Sequence, residues 1–475
     1  MLTWLLVIGS IYVSILFYLS WRSRRMIKSN SDFLMAGSNI GLILGFMTFA
    51  ATLFSTFTLM GMPDFSRTHG IGAWIFLAFS DGGMVFLIVW FGYRLRKTVS
   101  AKGFNGMSGL LQSCYRNRWA GYIYFAGVFI FLIPYVAIQI RGVAMFLVQA
   151  FPEAMPIWGW SLIIVIVMLV YSELGGLKAI IYADFMQGTL LLVVVWIIAI
   201  TCMNYLGGWA EMFRQVEVVN PELLSTPGPK GLLNSQFLIA SFLAILMIPV
   251  TQPQLSTRLV IMKNTKAMYR MAVAVGTFAM LVIFPTIVIG LYGALKYPDA
   301  SVPEFLGRVL LHDQSGFVAS AAIIGLFAAA MSTSDSQLFA LGNELRGLIS
   351  KKESDSLVPI RIAIISFAVG ALIFSLFSSD QLVLLARISF AGTAMLGPLV
   401  ILGIISNKTQ GVFMIVVSGL GLGAFILSQA GILPGVVGPF RMDLFLMIVL
   451  TISAIGNYIV SLLFFASGET GHHFP

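Results

Sequence analysis

Charged residues are scarce in this chain of 475 residues. Asp, Glu, Lys and Arg together account for 10% of it, whereas a soluble domain carries roughly 25%. Hydrophobic residues account for 59%, and long uncharged runs reach the ~20 residues that cross a bilayer as a helix. A water-soluble core cannot bury that much apolar surface. The composition therefore predicts an all-α integral membrane protein and excludes a soluble globular one.

Cysteine and catalytic signatures are also nearly missing. Cys114 and Cys202 are the only cysteines and fall on opposite sides of the predicted topology, so no disulfide framework is expected. The four histidines lie outside the apolar runs. The chain has no G-x-x-x-x-G-K-[ST] loop, no H-E-x-x-H signature and no G-x-S-x-G elbow. We therefore expect neither an enzyme nor an organic cofactor.

The apolar runs divide at turn and charge clusters into about thirteen membrane spans. The first segment lacks a positive n-region and a cleavage site, so we expect it to be retained as a helix. The break between the fifth and sixth spans rests on Gly175 and Gly176 alone. We interpret residues 1–475 as one domain. The spans begin near Leu2, Ile40, Gly70, Trp119, Trp158, Lys178, Ser235, Met268, Gly316, Val358, Leu382, Gly411 and Asp443.

The distribution of Lys and Arg predicts the orientation in a plasma or inner membrane. With the N-terminus outside and the C-terminus inside, 20 of the 28 basic residues fall on inner loops, as the positive-inside rule requires. Arg258 is counted with these loops. Arg387 falls near the outer end of span 11, where its side chain is expected to snorkel to the interface. The basic loops also account for the net charge of +9, so no nucleic-acid partner is expected.

Two blocks of five spans are predicted to form an inverted repeat, because an odd number of crossings turns the second block upside down. The blocks occupy about residues 40–206 and 233–406, with extra helices at 1–21, 411–432 and 443–467. Small and hydroxyl residues cluster within 48–56 of span 2, and Pro249 and Pro253 bracket Thr251 and Gln252 in span 7. Proline frees backbone carbonyls, and matching interruptions in two inverted halves indicate a transporter's central site. The alternative is a pair of ordinary proline kinks.

Two acidic residues stand in otherwise apolar spans, Asp184 in span 6 and Asp335 in span 9. An ionised carboxylate in lipid costs at least ~2.5 kcal/mol, so each is expected to face the interior beside a cation or a donor. Sodium is a hard cation that prefers several oxygen ligands. The alternative is that the hydroxyls bond to their own helix or join helices. The hydroxyl residues beside the second carboxylate are Ser332, Thr333, Ser334 and Ser336.

Asp81 in span 3 and Arg141 in span 4 are also placed within the membrane. One hypothesis is that these two side chains pair with each other. The other is that Arg141 binds a carboxylate of the substrate, for which a planar guanidinium is suited. The sequence supports both hypotheses equally.

Four segments resemble the sodium:solute symporter family, which includes bacterial proline, pantothenate, sialic acid and sugar symporters. Their order and spacing cover nearly the whole chain. The resemblance implies a leucine-transporter-like fold of about thirteen helices with a five-plus-five inverted repeat. The segments are residues 31–37 (SDFLMAG), residues 175–179 (GGLKA) running to Asp184 and Gln187, Gln252-Pro253 followed by Arg258, and residues 329–333 (AAMST).

The same motif match implies the site residues. The principal sodium would bind the backbone carbonyls of Ala51, Phe54 and Ala329 and the hydroxyls of Ser332 and Thr333. Some members have a further sodium site with an aspartate in span 6, which corresponds to Asp184, and Asp335 and Ser336 would join it here. Substrate contacts in the family come from spans 2, 4, 7 and 11. The substrate-binding candidates are Thr52, Ser55, Thr56, Gln139, Arg141, Thr251 and Gln252.

Two positions depart from the family pattern. Asp335 stands where a hydroxyl or small residue is expected, so the second site could bind a proton or be a fixed ion pair. Leu53 stands where proline symporters have an aspartate, which argues against proline as the solute.

We predict sodium-coupled symport of a small organic solute by alternating access. If Arg141 reaches the cavity, the solute carries a carboxylate, as a monocarboxylate or an amino acid does. The alternatives are a proton-coupled carrier of the same fold and a solute-sensing membrane protein that acts with a partner.

Overall fold

The computed structural model describes residues 1–25, 35–172, 176–349, 358–406 and 412–466. Within these residues, nine helices are long and apolar enough to cross a membrane. Two bent helix pairs make further crossings, and two apolar helices are shorter. Counting each bent pair as one span gives eleven crossings, and the two shorter helices lie where the remaining two spans are predicted. All thirteen segments begin within a few residues of their predicted starts. The all-α prediction is confirmed.

The thirteen spans follow one another along the whole described chain. Four predicted features lie outside the described residues. They are the break at Gly175, the start of span 12 near Gly411, the end of the last extra helix at residue 467, and residues 31–34 of the first family-like segment. Spans 1 to 7 are Leu2–Arg25, Leu42–Leu53 with Phe57–His69, Gly72–Lys102, Arg118–Ala150, Ile157–Ser172, Gly176–Tyr205, and Ser235–Thr251 with Pro253–Ile261. Spans 8 to 13 are Thr265–Lys296, Gly316–Leu348, Val358–Phe377, Leu382–Ile405, Phe413–Gln429 and Met442–Ala466.

Short elements connect the spans. A 3-10 turn, Ala36–Ser38, precedes span 2, and the helix Gly106–Tyr115, named the surface helix below, follows span 3. The two strands β1 (Val436–Val437) and β2 (Phe440–Arg441) pair antiparallel between spans 12 and 13. The remaining connecting elements are Trp209–Val219, Pro221–Leu224, Val302–Gly307 and Arg308–His312.

Side-chain caps define where several spans begin. Asn234 accepts a hydrogen bond from the amide of Phe237 at the start of span 7, and Asn264 accepts one from Ala267 at the start of span 8. The first amides of a helix have no partner within the helix, so such caps stabilise its start. These two asparagines therefore stabilise the starts of the broken span 7 and of the helix that follows it.

Burial separates central spans from peripheral ones. In the most apolar stretch of each span, 78% of span 11 and 72% of span 9 are buried, against 6% of span 1 and 17% of span 13. Many large apolar side chains on spans 1 and 13 are exposed, which suits a surface that faces lipid. The extra helices therefore lie outside the packed centre, and the candidate site is built from spans 2 to 11.

The two broken spans have the same local conformation. Span 2 bends by 54° after Leu53, and span 7 bends by 54° after Thr251. The residue at each break is extended, with φ −95° and ψ 116° at Phe54 and φ −95° and ψ 117° at Gln252. Pro253 has no amide hydrogen and cannot continue the helix of span 7. The near-identical dihedral angles support equivalent roles for the two breaks.

Two arginine predictions are wrong. Arg258 does not lie on an inner loop: it is 1% exposed, and its guanidinium pairs with Asp184 at 3.2 Å. Arg387 does not snorkel, because its guanidinium pairs with Asp443 of span 13 and lies 4.6 Å from the ring centroid of Phe237. In each case the carboxylate comes from a distant span, which makes an internal position less costly than the sequence suggests.

Candidate cation and substrate site

The break in span 2 frees three consecutive backbone carbonyls. The carbonyl of Ala51 accepts hydrogen bonds from Ser332 (3.1 Å) and Thr333 (3.5 Å), and that of Thr52 accepts one from Thr333 at 3.3 Å. The carbonyl of Leu53 accepts one from the Tyr135 hydroxyl at 3.0 Å. Buried carbonyls need such partners, and here other spans provide all of them.

The residues expected to bind the principal sodium lie together at this break. Ser332 and Thr333 are 1% and 0% exposed, and their hydroxyls point at the carbonyl of Ala51. Phe54 is the extended residue of the break itself, and Ala329 lies one helical turn before Thr333 on span 9. The set consists of neutral oxygen atoms only, which suits a hard monovalent cation. The donor chemistry therefore fits sodium.

A small residue lets span 6 come close to this set. A Cβ atom added at Gly188 would lie 3.1 Å from the Cβ atom of Ala51 and 3.3 Å from the end of Met47. Few real Cβ contacts are that tight. Gly188 therefore brings Asp184, one turn earlier on the same span, next to the break.

Asp184 belongs to a buried polar cluster with Arg258 at its centre. The carboxylate accepts hydrogen bonds from Thr48 and Ser332, both at 2.5 Å, and from Arg258 at 3.2 Å. Arg258 also donates to Ser336 at 2.7 Å. Asp184 and Arg258 are 0% and 1% exposed, so both charges are removed from water. Because Ser332 bonds to both Asp184 and Ala51, the charged cluster is directly linked to the candidate sodium ligands.

The residues of the expected second cation site are only partly brought together. Asp184 and Ser336 meet through the guanidinium of Arg258. Asp335 is 1% exposed, and its Oδ1 atom has no hydrogen-bond partner. A guanidinium therefore occupies the side of Asp184 that faces Ser336, and Asp335 stands apart as a buried carboxyl group.

Two of the three substrate candidates on span 2, Ser55 and Thr56, are held by a glutamine of span 4. Gln139 donates from its amide nitrogen to the Ser55 hydroxyl at 3.1 Å, and its carbonyl accepts from the Thr56 amide at 3.2 Å. Thr52 donates to the carbonyl of Thr48, and its hydroxyl lies 3.1 Å from that of Ser336. The Thr56 hydroxyl is buried without a partner. Gln139, Ser55 and Thr56 thus form one polar surface at the break.

The break in span 7 is held in the same way. Tyr124 of span 4 donates its hydroxyl to the carbonyl of Thr251 at 2.9 Å, as Tyr135 does for span 2. Gln252 donates to Thr393 of span 11 at 3.4 Å and accepts from Gln254 at 2.7 Å. The structure therefore brings Thr251 and Gln252 against spans 4 and 11.

Arg141 lies apart from the other substrate candidates. Its guanidinium donates to Asp380 from Nη2 at 2.7 Å and from Nε at 2.9 Å, and to the carbonyl of Ser375 at 3.3 Å. The two charged side chains are 16% and 32% exposed. Arg141 does not pair with Asp81, whose Oδ2 atom is buried without a hydrogen-bond partner. Neither sequence hypothesis anticipated Asp380.

Several residues of this site were missed from the sequence. Arg258 was visible in a family-like segment but was assigned to a loop. Tyr124 and Tyr135 were not predicted. They lie three helical turns apart, and Gln139, which was a predicted substrate-binding residue, follows one turn later. Such spacing places all three on one face of a helix. A row of polar side chains on one face of an apolar span could have identified Tyr124 and Tyr135 as site residues. No comparable signal points to Asp380.

A model of the sodium:solute symporter family matches residues 33–419. The chain belongs to this family. Among relatives, it is similar to the sodium/pantothenate symporter of Haemophilus influenzae, with 24% identity over 83% of each chain. It is also similar to the osmoregulated proline transporter OpuE of Bacillus subtilis, with 24% identity over 83% of this chain and 82% of that protein. Membership of this family places the chain among multi-pass membrane transporters.

Solved structures of leucine-transporter-like proteins show the same fold. A Na+-coupled sialic acid symporter, determined substrate-bound and outward-open, matches with a TM-score of 0.78 at 15% identity over 97% of each chain. The nucleobase-cation-symport-1 family transporter Mhp1, in a closed conformation, matches with a TM-score of 0.60 at 13% identity, covering 93% and 96% of the two chains. The predicted leucine-transporter-like architecture is confirmed.

Proposed function

We propose that this member of the family couples the entry of sodium to the uptake of a small organic carboxylate. The observation that supports sodium coupling is the set of neutral oxygens where the break in span 2 meets Ser332 and Thr333 of span 9. Sodium bound there would attach the two spans to each other. Bound sodium would therefore favour the conformations in which spans 2 and 9 are in contact. The size of this effect equals the difference in the free energy of sodium binding between the conformations.

The first test concerns the sodium site. Removing one hydroxyl in Ser332→Ala or Thr333→Ala deletes one ligand, so the sodium concentration for half-maximal uptake should rise roughly tenfold, or about 1.4 kcal/mol. Uptake of labelled solutes in proteoliposomes would be measured over a sodium series, with choline replacing sodium at fixed pH. Ser334→Ala is the matched control, because that hydroxyl is buried on the same helix without a partner. Unchanged sodium dependence in both variants would refute the site.

The carboxylate proposal rests on Arg141 and on the relatives. Pantothenate, proline and sialic acid, named for the similar proteins, are all carboxylic acids. In this structure the Arg141 guanidinium already binds a carboxylate in a two-nitrogen geometry, that of Asp380. A solute carboxylate could take the place of Asp380 with the same geometry. Arg141 would then select for acidic solutes at the outer side of the central residues.

The second test compares acids with their neutral analogues. Hydrogen bonds to charged groups contribute about 1.5–3 kcal/mol, so Arg141→Leu should weaken binding of an acidic solute by roughly 10- to 100-fold and leave its amide analogue unaffected. Asp380→Asn is the matched variant, because it removes the competing carboxylate and should preserve affinity or improve it. A panel of carboxylates, amino acids, sugars and vitamins would identify the solute. Full affinity for acids in Arg141→Leu would end this part of the proposal.

One observation favours proton coupling as the second candidate. Asp335 is buried with Oδ1 unpartnered, and the charged group that acts on it is Asp184 of span 6. A carboxyl group in that position could carry a proton through the transport cycle. In that case uptake would persist in choline, and Asp335→Asn would remove its dependence on pH.

A further inference from the structure

Span 3 presents one continuous face to the lipid. Phe79, Phe86, Trp90 and Tyr93 are 58%, 80%, 42% and 50% exposed, and Lys97 continues the same row at helical spacing. The face is apolar and aromatic over most of its length and becomes basic at the end that is predicted to lie inside. The apolar part of the face is suited to the acyl chains of a phospholipid, and the basic end is suited to an anionic headgroup.

A cavity of about 360 Å³ lies at the basic end of this face, between span 3 and the inner end of span 11. Its charged lining residues are Arg94, Lys97 and Lys102, and no acidic side chain lines it. Lys102 makes a long contact with the carbonyl of Ser113 at 3.4 Å. Within the described residues, Arg94 and Lys97 have neither an ion pair nor a side-chain hydrogen bond, and both are exposed. The cavity therefore concentrates positive charge, and no acidic side chain of the described residues lies in its lining to neutralise it.

The neighbouring Arg96, unlike Arg94 and Lys97, has protein hydrogen-bond partners. Arg96 points to the opposite side of span 3 and donates to the carbonyls of Leu259, Val260 and Met262 at 2.7–3.0 Å. Those three acceptors are the free carbonyls at the end of span 7. Arg96 thus has a structural role, whereas Arg94 and Lys97 face the cavity.

A second concavity lies deeper in the membrane on the same face. This groove of about 620 Å³ is lined almost entirely by apolar atoms of spans 3, 7 and 8, including Phe79, Gly83, Phe86 and Met280. The rise from Phe86 to Lys97 is about 16 Å at 1.5 Å per residue, which is close to half of a ~30 Å hydrocarbon core. The distance between groove and cavity therefore matches the depth of one leaflet.

We propose that this face of span 3 binds an anionic phospholipid, with its phosphate between Arg94 and Lys97 and an acyl chain in the groove. A guanidinium forms paired hydrogen bonds with phosphate oxygens, and basic pockets between membrane helices on the inner side suit anionic headgroups. The proposal concerns a site separate from the central one and does not depend on which solute is carried.

The first experiment measures lipid binding to the full chain. Native mass spectrometry would titrate phosphatidylglycerol and phosphatidylcholine against the wild type, against Arg94→Gln/Lys97→Gln, and against Lys263→Gln/Lys266→Gln. The control lysines are exposed and on the same predicted side, but outside the cavity. We expect the wild type and the control to prefer phosphatidylglycerol, and the cavity variant to bind it roughly 10- to 30-fold more weakly. Equal binding by all three proteins would overturn the proposal.

A second experiment separates a lipid from a free anion. Thr277 is exposed in the groove and donates its hydroxyl only to its own helix, so Thr277→Trp should fill the groove and weaken long-chain phosphatidylglycerol more than the dihexanoyl form. Thr189→Trp is the matched control, because Thr189 is an exposed threonine on span 6 with the same type of bond. Displacement of the lipid by millimolar inorganic phosphate, or equal binding of both chain lengths, would refute lipid binding in favour of a free-phosphate site.

Discussion

At the scale of single residues, the pair Asp184 and Arg258 places two charges where water does not reach. Besides the ion pair itself, six hydrogen bonds satisfy most of the polar atoms of Asp184 and Arg258. Their partners are Thr48, Gln254, Ser332 and Ser336. Removing one partner of such a pair leaves an uncompensated buried charge, whereas removing both need not. The pair therefore contributes to the specific arrangement of spans 2, 6, 7 and 9 at the candidate sodium ligands.

This pair gives a double-variant prediction. Arg258→Met alone should destabilise the protein by about 3–5 kcal/mol, and Asp184→Leu/Arg258→Met together should cost clearly less than the sum of the two single changes. Denaturant unfolding in detergent micelles, followed by tryptophan fluorescence, would measure the coupling. Arg308→Met/Glu304→Leu is the control, since that ion pair is about half exposed on both sides and should contribute at most about 1 kcal/mol. Additive costs for the buried pair would contradict the interpretation.

Single residues also show what the sequence can and cannot specify. The break at Gln252 was predictable, because Pro253 cannot continue a helix and the signal is local. The pairing of Arg258 was not, because a lone arginine near the end of an apolar run looks the same whether its partner is water or an aspartate 74 positions away. The family resemblance gave the sodium candidates by motif, whereas Asp380, the partner of Arg141, had no motif to identify it.

At the scale of elements, span 4 joins the two broken helices. Tyr135 and Gln139 bind the break in span 2, and Tyr124 binds the break in span 7. A buried carbonyl without a donor costs about 1–3 kcal/mol, so these contacts allow both breaks to persist within the membrane. Span 4 thus acts as a scaffold against which both broken helices are positioned.

The two broken spans are also joined to each other at the ends that are predicted to lie inside. Ile40 and Met262 form a parallel β-bridge, with the Ile40 amide bonding to Ile261 and the Lys263 amide bonding to Ile40. This backbone contact lies just before span 2 and just after span 7. The contact therefore ties the first half of span 2 to the second half of span 7 through the backbone.

A further contact fixes span 9 to the surface helix. Glu344 is 0% exposed and accepts hydrogen bonds from the amides of Met107 and Ser108, at 2.8 and 2.6 Å, and from the Ser108 hydroxyl at 2.5 Å. A carboxylate at the N-terminal end of a helix is favourable for its charge as well as for its hydrogen bonds. Glu344 therefore holds the surface helix against the end of span 9.

Glu344→Ala is expected to release this contact. Loss of three charge-assisted hydrogen bonds should make residues of the surface helix exchange their amide hydrogens faster, by tenfold or more at Met107 and Ser108, because each such bond contributes about 1.5–3 kcal/mol. Hydrogen–deuterium exchange by mass spectrometry on peptides covering 104–115 would measure it. Glu211→Ala serves as the control, because that exposed carboxylate pairs only within its own loop helix. Unchanged protection in Glu344→Ala would show that packing alone holds the surface helix.

At the scale of the whole molecule, contacts on both sides enclose the central residues. The candidate site residues other than Arg141 are at most 2% exposed. On one side Arg141 pairs with Asp380, and Gly61 packs directly on Leu382 and Val383. On the other side lie the bridge at Ile40 and the contacts of Arg96 and Glu344. Alternating access would require one set of contacts to open while the other is kept, so the orientation in the membrane decides which set is the outer gate and which is the inner one.

The orientation can be tested by the accessibility of introduced thiols. We predict that the N-terminus is outside, so a cysteine at position 214 should react with a membrane-impermeant maleimide in intact cells. A cysteine at position 266 should react only after the membrane is opened. Arg214→Cys and Lys266→Cys are both suitable because each side chain is exposed, and Cys114 and Cys202 would be changed to serine, although both are buried.

Each labelling pattern has a structural consequence. The predicted pattern would make the contacts of Arg141 the outer gate and those of Ile40, Arg96 and Glu344 the inner one, which agrees with basic residues gathering beside Arg94 and Lys97 on the cytoplasmic face. Labelling of position 266 in intact cells would reverse this assignment. The basic cavity of span 3 would then lie in the outer leaflet, and solute would first meet the side closed by Glu344. The fold is the same in both orientations and does not by itself say which closed side faces the cytoplasm. The labelling pattern decides this.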